Sequence, residues 1–107
     1  GPVSHFLYKL IPPRPTFDRD MSEAEAAIMG QHVAYWQEQI ERGTAIVFGP
    51  VADPAGAWGL AVVDAESEED VRALGLADPA VTRQLARFEV CAMPGAIDGR
   101  TALSGPG

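Results

Sequence analysis

Two short stretches, TAIVF at residues 44–48 and WGLAVVD at residues 58–64, are apolar at consecutive rather than alternating positions. Runs of β-branched and apolar residues of this length read as strands. A strand without alternation needs cover on both of its faces. That demand constrains the fold more than any other feature. At 107 residues the chain has the size of one domain, so the cover must come from a few helices or from another molecule.

The remaining elements follow from punctuation and periodicity. Gly1-Pro2 reads as a scar of tag cleavage, and residues 1–3 are set aside as an N-terminal extension. Residues 4–11 (SHFLYKLI) form a strand with Phe6, Tyr8 and Leu10 on one face and Leu7, Lys9 and Ile11 on the other. Pro12, Pro13 and Pro15 stop it, and residues 14–20 are expected to be a loop. Ser22 and Glu25 have the spacing of a capping box. Met29, Val33, Trp36 and Ile40 then form one apolar stripe, and Gly43 supplies a left-handed end, which predicts a helix over 22–42. Gly49-Pro50 turns the chain, and residues 53–56 (DPAG) read as a hairpin connection. Ser67 with Asp70 caps a second, shorter helix running to about Leu74, and Asp78-Pro79 breaks it and starts one further turn over 79–84. Residues 88–93 (FEVCAM) are a fourth strand. Residues 95–107, rich in Gly and Ala, are expected to be a flexible tail or an arm against another subunit.

The order β-α-β, β-α-β over residues 4–94 predicts an α+β domain: a four-stranded antiparallel sheet with two helices on one face, the ferredoxin-like arrangement. Two helices cover one face only. The least costly cover for the other is a second copy related by two-fold symmetry. The expectation is therefore a homodimer, sheet stacked on sheet, enclosing a cavity between subunits with a histidine at its rim.

Charge and composition narrow the function. A net charge of -7 argues against nucleic acid, whose phosphates reward basic surfaces. No apolar run approaches the ~18 residues that span a bilayer, so no membrane partner is expected. The single cysteine, Cys91, excludes an internal disulfide and a cysteine-based zinc cluster, and it is expected to be a small buried hydrophobe. No glycine-rich phosphate loop, HxxxH pair or Ser-His-Asp signature is present, so neither a cofactor nor a metal is expected. The reading is of a cytoplasmic protein with a small-molecule ligand.

His32 is the candidate for chemistry. At about 100° per residue it lies roughly 70° from the centre of the Met29/Val33/Trp36/Ile40 seam, a boundary position from which an imidazole can reach a cleft and still be held by packing. Imidazole is the usual general acid–base group. The competing reading is a helix-edge histidine bonded to a carbonyl or to water. Asp53, after the turn that follows the second strand, and Asp78, before Pro79, are the two acids that can fix its tautomer. Each also suits plain turn chemistry. Tyr8, Trp36 and Trp58 are large enough to wall a pocket for a flat ligand, and Tyr35 is a further aromatic of that kind. Lys9 and Glu89 stand on otherwise apolar strands and can pair if the first and fourth strands are neighbours.

The run HVAYW at 32–36, then GPVADPAGAWG at 49–59, then ADPAV at 77–81 before a strand ending in Met93-Pro94, resembles the YCII-related (YciI-like) family across nearly the whole domain. That resemblance implies a dimeric α+β barrel of the kind shared with muconolactone isomerase-like proteins, and a His-Asp pair in a cleft. The family's histidine maps onto His32; its acid maps onto Asp78, with Asp53 second. At least one relative is a dehydrochlorinase acting on a chlorinated hydroxyquinol. One departure stands out: many members carry a glycine near the place where Thr82-Arg83-Gln84 stand here.

Two functions follow from these readings. The first is a cofactor-free enzyme of lyase or isomerase type, dehydrochlorinase-like, in which His32, oriented by Asp78 or Asp53, moves a proton on a small cyclic substrate, phenolic or lactone-like. The alternative is a non-catalytic ligand-binding or accessory dimer of a metabolic or biosynthetic pathway, in which Trp36 and Trp58 matter more than His32.

Overall fold

The computed structural model describes residues 2–100. Four strands, β1 (Ser4–Ile11), β2 (Ala45–Val51), β3 (Trp58–Ala65) and β4 (Arg87–Ala92), form one sheet in the order β2-β3-β1-β4 with every pair antiparallel. The helices are α1 (Phe17–Asp20), α2 (Glu23–Glu41), α3 (Glu68–Ala77) and α4 (Pro79–Thr82). The chain has the ferredoxin-like α+β arrangement that the element order predicts.

Much of the punctuation holds. Ser22 and Glu25 make both bonds of the capping box at the start of α2, and Gly43 takes φ +78° just past its end. Gly56 N–H bonds the Asp53 carbonyl, closing the turn between β2 and β3. Asp78 caps α4, accepting a bond from Ala80 N–H. Three expectations are corrected. Gly49-Pro50 does not turn the chain: both residues lie within β2, opposite Leu60 and Gly59. The loop over 14–20 contains α1, one helical turn whose Phe17 is buried. The second long helix continues past Leu74 to Ala77.

One face of the sheet packs on the helices. Phe6, Tyr8 and Leu10 of β1, with Ala61, Val63 and Ala65 of β3, meet Trp36, Val71 and Ala80 there. The seam of α2 is rotated from the one hydropathy picks. Trp36 and Gln39 are its buried residues, with Met29 and His32 half-buried beside them, while Val33 and Ile40 are 40% and 38% exposed. The buried direction thus turns by roughly 60° toward His32, which stands near the centre of the packed face and not at its boundary.

Among the described residues, no helix lies over the opposite face. Val47, Val62, Leu7 and Cys91 lie in one cross-strand row, set by the registers Val47↔Val62, Leu7↔Val62 and Leu7↔Cys91. Val47 is 49% exposed. Cys91, expected in the core, is exposed on this face. Lys9 and Glu89 are register partners as the topology allows. Their charges go elsewhere: the Lys9 ammonium lies 4.7 Å over the Trp58 ring, and Glu89 pairs with Arg87 at 3.6 Å.

Of the segment 95–107, residues 101–107 lie outside the described residues. Within 95–100, Asp98 reaches His5 Nε2 at 3.1 Å, and Arg100 bonds both Asp98 and Asp64. Gln84 takes φ +60°, the left-handed region that favours glycine.

Close packing makes one glycine indispensable. A Cβ on Gly75 of α3 would fall 2.6 Å from Phe88 Cε2, and the Phe88 ring stacks on Tyr8 at 5.4 Å. Overpacking of a filled core costs about 1–3 kcal/mol. Gly75→Ala is expected to lower stability by that amount in urea denaturation, with an unchanged denaturant slope.

Candidate active site

Asp78 has no exposed surface, and four donors converge on its carboxylate. Tyr8 OH donates to Oδ2 at 2.9 Å and Trp36 Nε1–H to the same oxygen at 2.8 Å. Ala80 N–H donates to Oδ1 at 2.9 Å, and His32 Nδ1 lies 2.9 Å from both oxygens. The donors come from β1, α2 and α4, so three elements meet on one acid. Local sequence explains why the acid is there: the Asp-Pro step ends α3, and the same side chain caps the next helix.

Burial is the largest influence on Asp78 and by itself raises its pKa. The hydrogen bond and charge of His32, with the bonds from Trp36 and Ala80, act against it and hold the carboxyl below its ordinary value. An ionised carboxylate only accepts. His32 therefore carries its proton on Nδ1, and Nε2 is left as the nitrogen with a free lone pair in the neutral ring. For Tyr8, burial first and the Asp78 charge second push the phenol far up, so it stays a donor. Tyr35 donates to the Leu74 carbonyl at 2.7 Å, and burial raises its phenol as well.

His32 opens onto a cavity of about 330 Å³. Its wall is almost wholly apolar: Phe17, Met21, Met29, Trp36, Phe48 and Trp58 contribute, with the ring of Tyr8. The cavity lies inside one chain, between α1, α2 and the helix-covered face of the sheet. It arises because the helices do not seal their own face of the sheet: Gly59 and Ala61, on that face, leave room beneath α2.

The sequence offered two acids for His32, and the structure brings only one to it. Asp53 is exposed and spends both oxygens locally, Oδ1 on Ala55 N–H at 2.9 Å and Oδ2 on Trp58 Nε1–H at 3.1 Å. Those bonds hold its carboxyl below the ordinary value. It is a turn residue, and it borders a separate, shallower cleft with Lys9, Arg87 and Glu89. Tyr8, Trp36 and Trp58 do wall the cavity, but each has its polar atom committed to an aspartate. Phe17 and Met21 were missed in the sequence because a proline-rich stretch read as a loop. A large aromatic between Pro15 and the capping Ser22 was the available signal. Among the described residues one group could hold a cation, His5 with Asp64 and Asp98, and it is apart from this cavity.

The YCII-related domain matches residues 9–94. The chain belongs to the YCII-related family. No curated protein sequence matches this YCII-related chain. Its fold is similar to 5-chloro-2-hydroxyhydroquinone dehydrochlorinase from Burkholderia phenoliruptrix in complex with 2,5-dihydroxybenzoquinone, with a TM-score of 0.63 and 16% identity over 86% of this chain and 95% of that one. A looser match is an amidase of the hydantoinase/carbamoylase family from Burkholderia phymatum, with a TM-score of 0.42, 15% identity, and 91% of this chain set against 29% of that one. Among the described residues no helix is long and apolar enough to cross a membrane.

Asp78 links the site to stability. Its pKa lies below the ordinary 3.8, so on acidification the unfolded chain takes up its proton first. The stabilisation is complete above 3.8 and is lost as the pH falls through the folded value. Asp78→Asn sets an amide N–H against at least one of the four donors, which costs about 1–3 kcal/mol. The variant is expected to be less stable at neutral pH and to lose stability less steeply on acidification, read from urea midpoints across an acid series.

Proposed function

We propose that the protein is a cofactor-free enzyme of lyase or isomerase type, in which His32 Nε2 takes a proton from a small cyclic substrate. The observation that carries this reading is the buried Asp78 carboxylate fixed on His32 Nδ1 at 2.9 Å, on a histidine that lines a ring-sized apolar cavity. A neutral imidazole so oriented presents its basic nitrogen to a bound ligand, and the imidazolium formed on proton uptake is stabilised by Asp78. Electrons released at the substrate then expel a leaving group or shift a double bond. The likeness in fold to a dehydrochlorinase that binds 2,5-dihydroxybenzoquinone supports phenolic rings as the first substrates to try.

Incubation with 5-chloro-2-hydroxyhydroquinone and related phenols, followed by chloride release and by absorbance, is the direct test. His32→Ala is expected to lose about 10²–10⁴-fold in kcat, the range for a general base, while circular dichroism shows it folded. A folded His32→Ala variant with wild-type turnover would overturn the reading.

We further propose that the uncovered sheet face docks on a second copy and that the protein works as a homodimer in the cytoplasm. The row Val47–Val62–Leu7–Cys91 supports the dimer, and a free exposed thiol suits a reducing compartment. Val47→Asp puts a charge at an exposed point of that row. Sedimentation velocity is expected to show a dimer for the wild type and a folded monomer for the variant; a monomeric wild type contradicts the dimer.

A further inference from the structure

The cavity's polar inventory says which ligands it refuses. Tyr8, Trp36 and Trp58 are the lining aromatics that carry side-chain donors. Tyr8 and Trp36 give theirs to Asp78, and Trp58 gives its own to Asp53. Pro12 and Pro50, also in the wall, have no N–H to offer. Among the described residues no lysine or arginine lines the cavity; apart from Tyr8, the ionisable groups lining it are His32 and Asp18. Behind His32 stands the fully buried Asp78 carboxylate, and Asp18 on α1 is exposed where the wall meets solvent.

An anionic ligand would therefore enter an apolar space that already faces one buried negative charge. It would pass a second at the rim and find no free donor on the aromatic wall. The one side chain there that can become cationic, His32, is already paired with Asp78, and a charge placed in such surroundings without a partner of its own is expensive. An uncharged ring meets none of these penalties, and a volume of about 330 Å³ is at the small end for ligand pockets. After proton transfer to His32 the substrate anion would acquire the imidazolium as its partner. Ground-state neutrality and anion formation at the site are thus compatible.

Resting on the reading of His32 as the proton acceptor, we propose that the cavity takes an uncharged single-ring ligand and refuses its carboxylate counterpart, with Asp18 as a residue that sets this selectivity. The prediction narrows the substrates left open by the sequence. Phenols and neutral lactones fit; lactones bearing a free carboxylate do not.

Methyl 4-hydroxybenzoate and 4-hydroxybenzoate share a ring and differ in charge, so calorimetric titration of the full chain with both at neutral pH and low salt reads the selectivity. The ester is expected to bind at least about tenfold more tightly. Asp18→Asn is expected to tighten the acid alone by about threefold, the size of one screened charge at several ångströms. Added salt should shrink that gain. Glu69→Gln, which makes the same change in net charge away from the cavity, controls for the overall field. Equal binding of acid and ester overturns the proposal, as does no binding of the ester, or an equal response to Asp18→Asn and Glu69→Gln. His32→Ala keeps the ester–acid preference if the selectivity is real, because binding and not turnover is measured. A failure of charge selection is thereby distinguishable from a failure of the His32 chemistry.

Discussion

A carboxylate with no contact with solvent is among the most demanding groups a small protein can hold. Removed from water without partners it would neutralise or unfold the structure around it. Asp78 avoids both outcomes by drawing a hydroxyl from β1, an indole N–H and an imidazole from α2, and a backbone N–H from α4. These groups cannot drift independently, because each that leaves abandons part of a buried charge. The sheet, the long helix and the short helix are consequently held in one arrangement. The Tyr8 ring extends that order outward, lying 4.8 Å from Trp36 and 5.4 Å from Phe88. The core and the candidate site are one structure.

How far this was legible in the sequence differs from residue to residue, for physical reasons. Local chemistry could be read directly. The capping box at Ser22 and Glu25, the left-handed Gly43 and the 53–56 turn each depend on neighbours a few positions away. His32 was identifiable as a helix residue near the packed face. Its central place was not, because hydropathy weights Val33 and Ile40 above His32 and Gln39, while the real face is organised by a buried polar group. The choice between Asp53 and Asp78 was equally hidden. Both follow turn grammar, and only the tertiary fold decides which one meets donors 42 and 70 residues away in Trp36 and Tyr8.

The same limit bears on cover. The apolar strands announce that both sheet faces need burial, but not how each is covered. On the helix side the strands are only partly covered, and the shortfall is the cavity; on the other side, among the described residues, no helix lies over the row through Val47, Val62, Leu7 and Cys91. Composition can count apolar positions, but it cannot say whether a gap lies under a helix or behind the sheet. The small residues Gly59 and Ala61 were the available hint, since they build a wall without filling the space before it. Gln84 shows the converse: a left-handed position is invisible in the sequence when a residue with a side chain occupies it.

The number of donors on Asp78 also bears on what it can do for His32. A carboxylate facing one imidazole concentrates its charge on that ring and competes for its proton. Here Tyr8, Trp36 and the Ala80 amide share the same two oxygens, and His32, Trp36 and Ala80 keep the group's pKa low despite burial. Asp78 is thus a poor proton acceptor and a firm orienter. In the proposed reaction the proton would remain on the imidazole, paired with a fixed negative charge, and would not pass on to the acid. Each shared donor also dilutes the field felt by His32. In the proposed reaction Tyr8 and Trp36, though they touch the ligand space only with their rings, would thereby set how strongly the imidazolium is stabilised. Their hydroxyl and indole N–H act as positioning groups, through the carboxylate they hold.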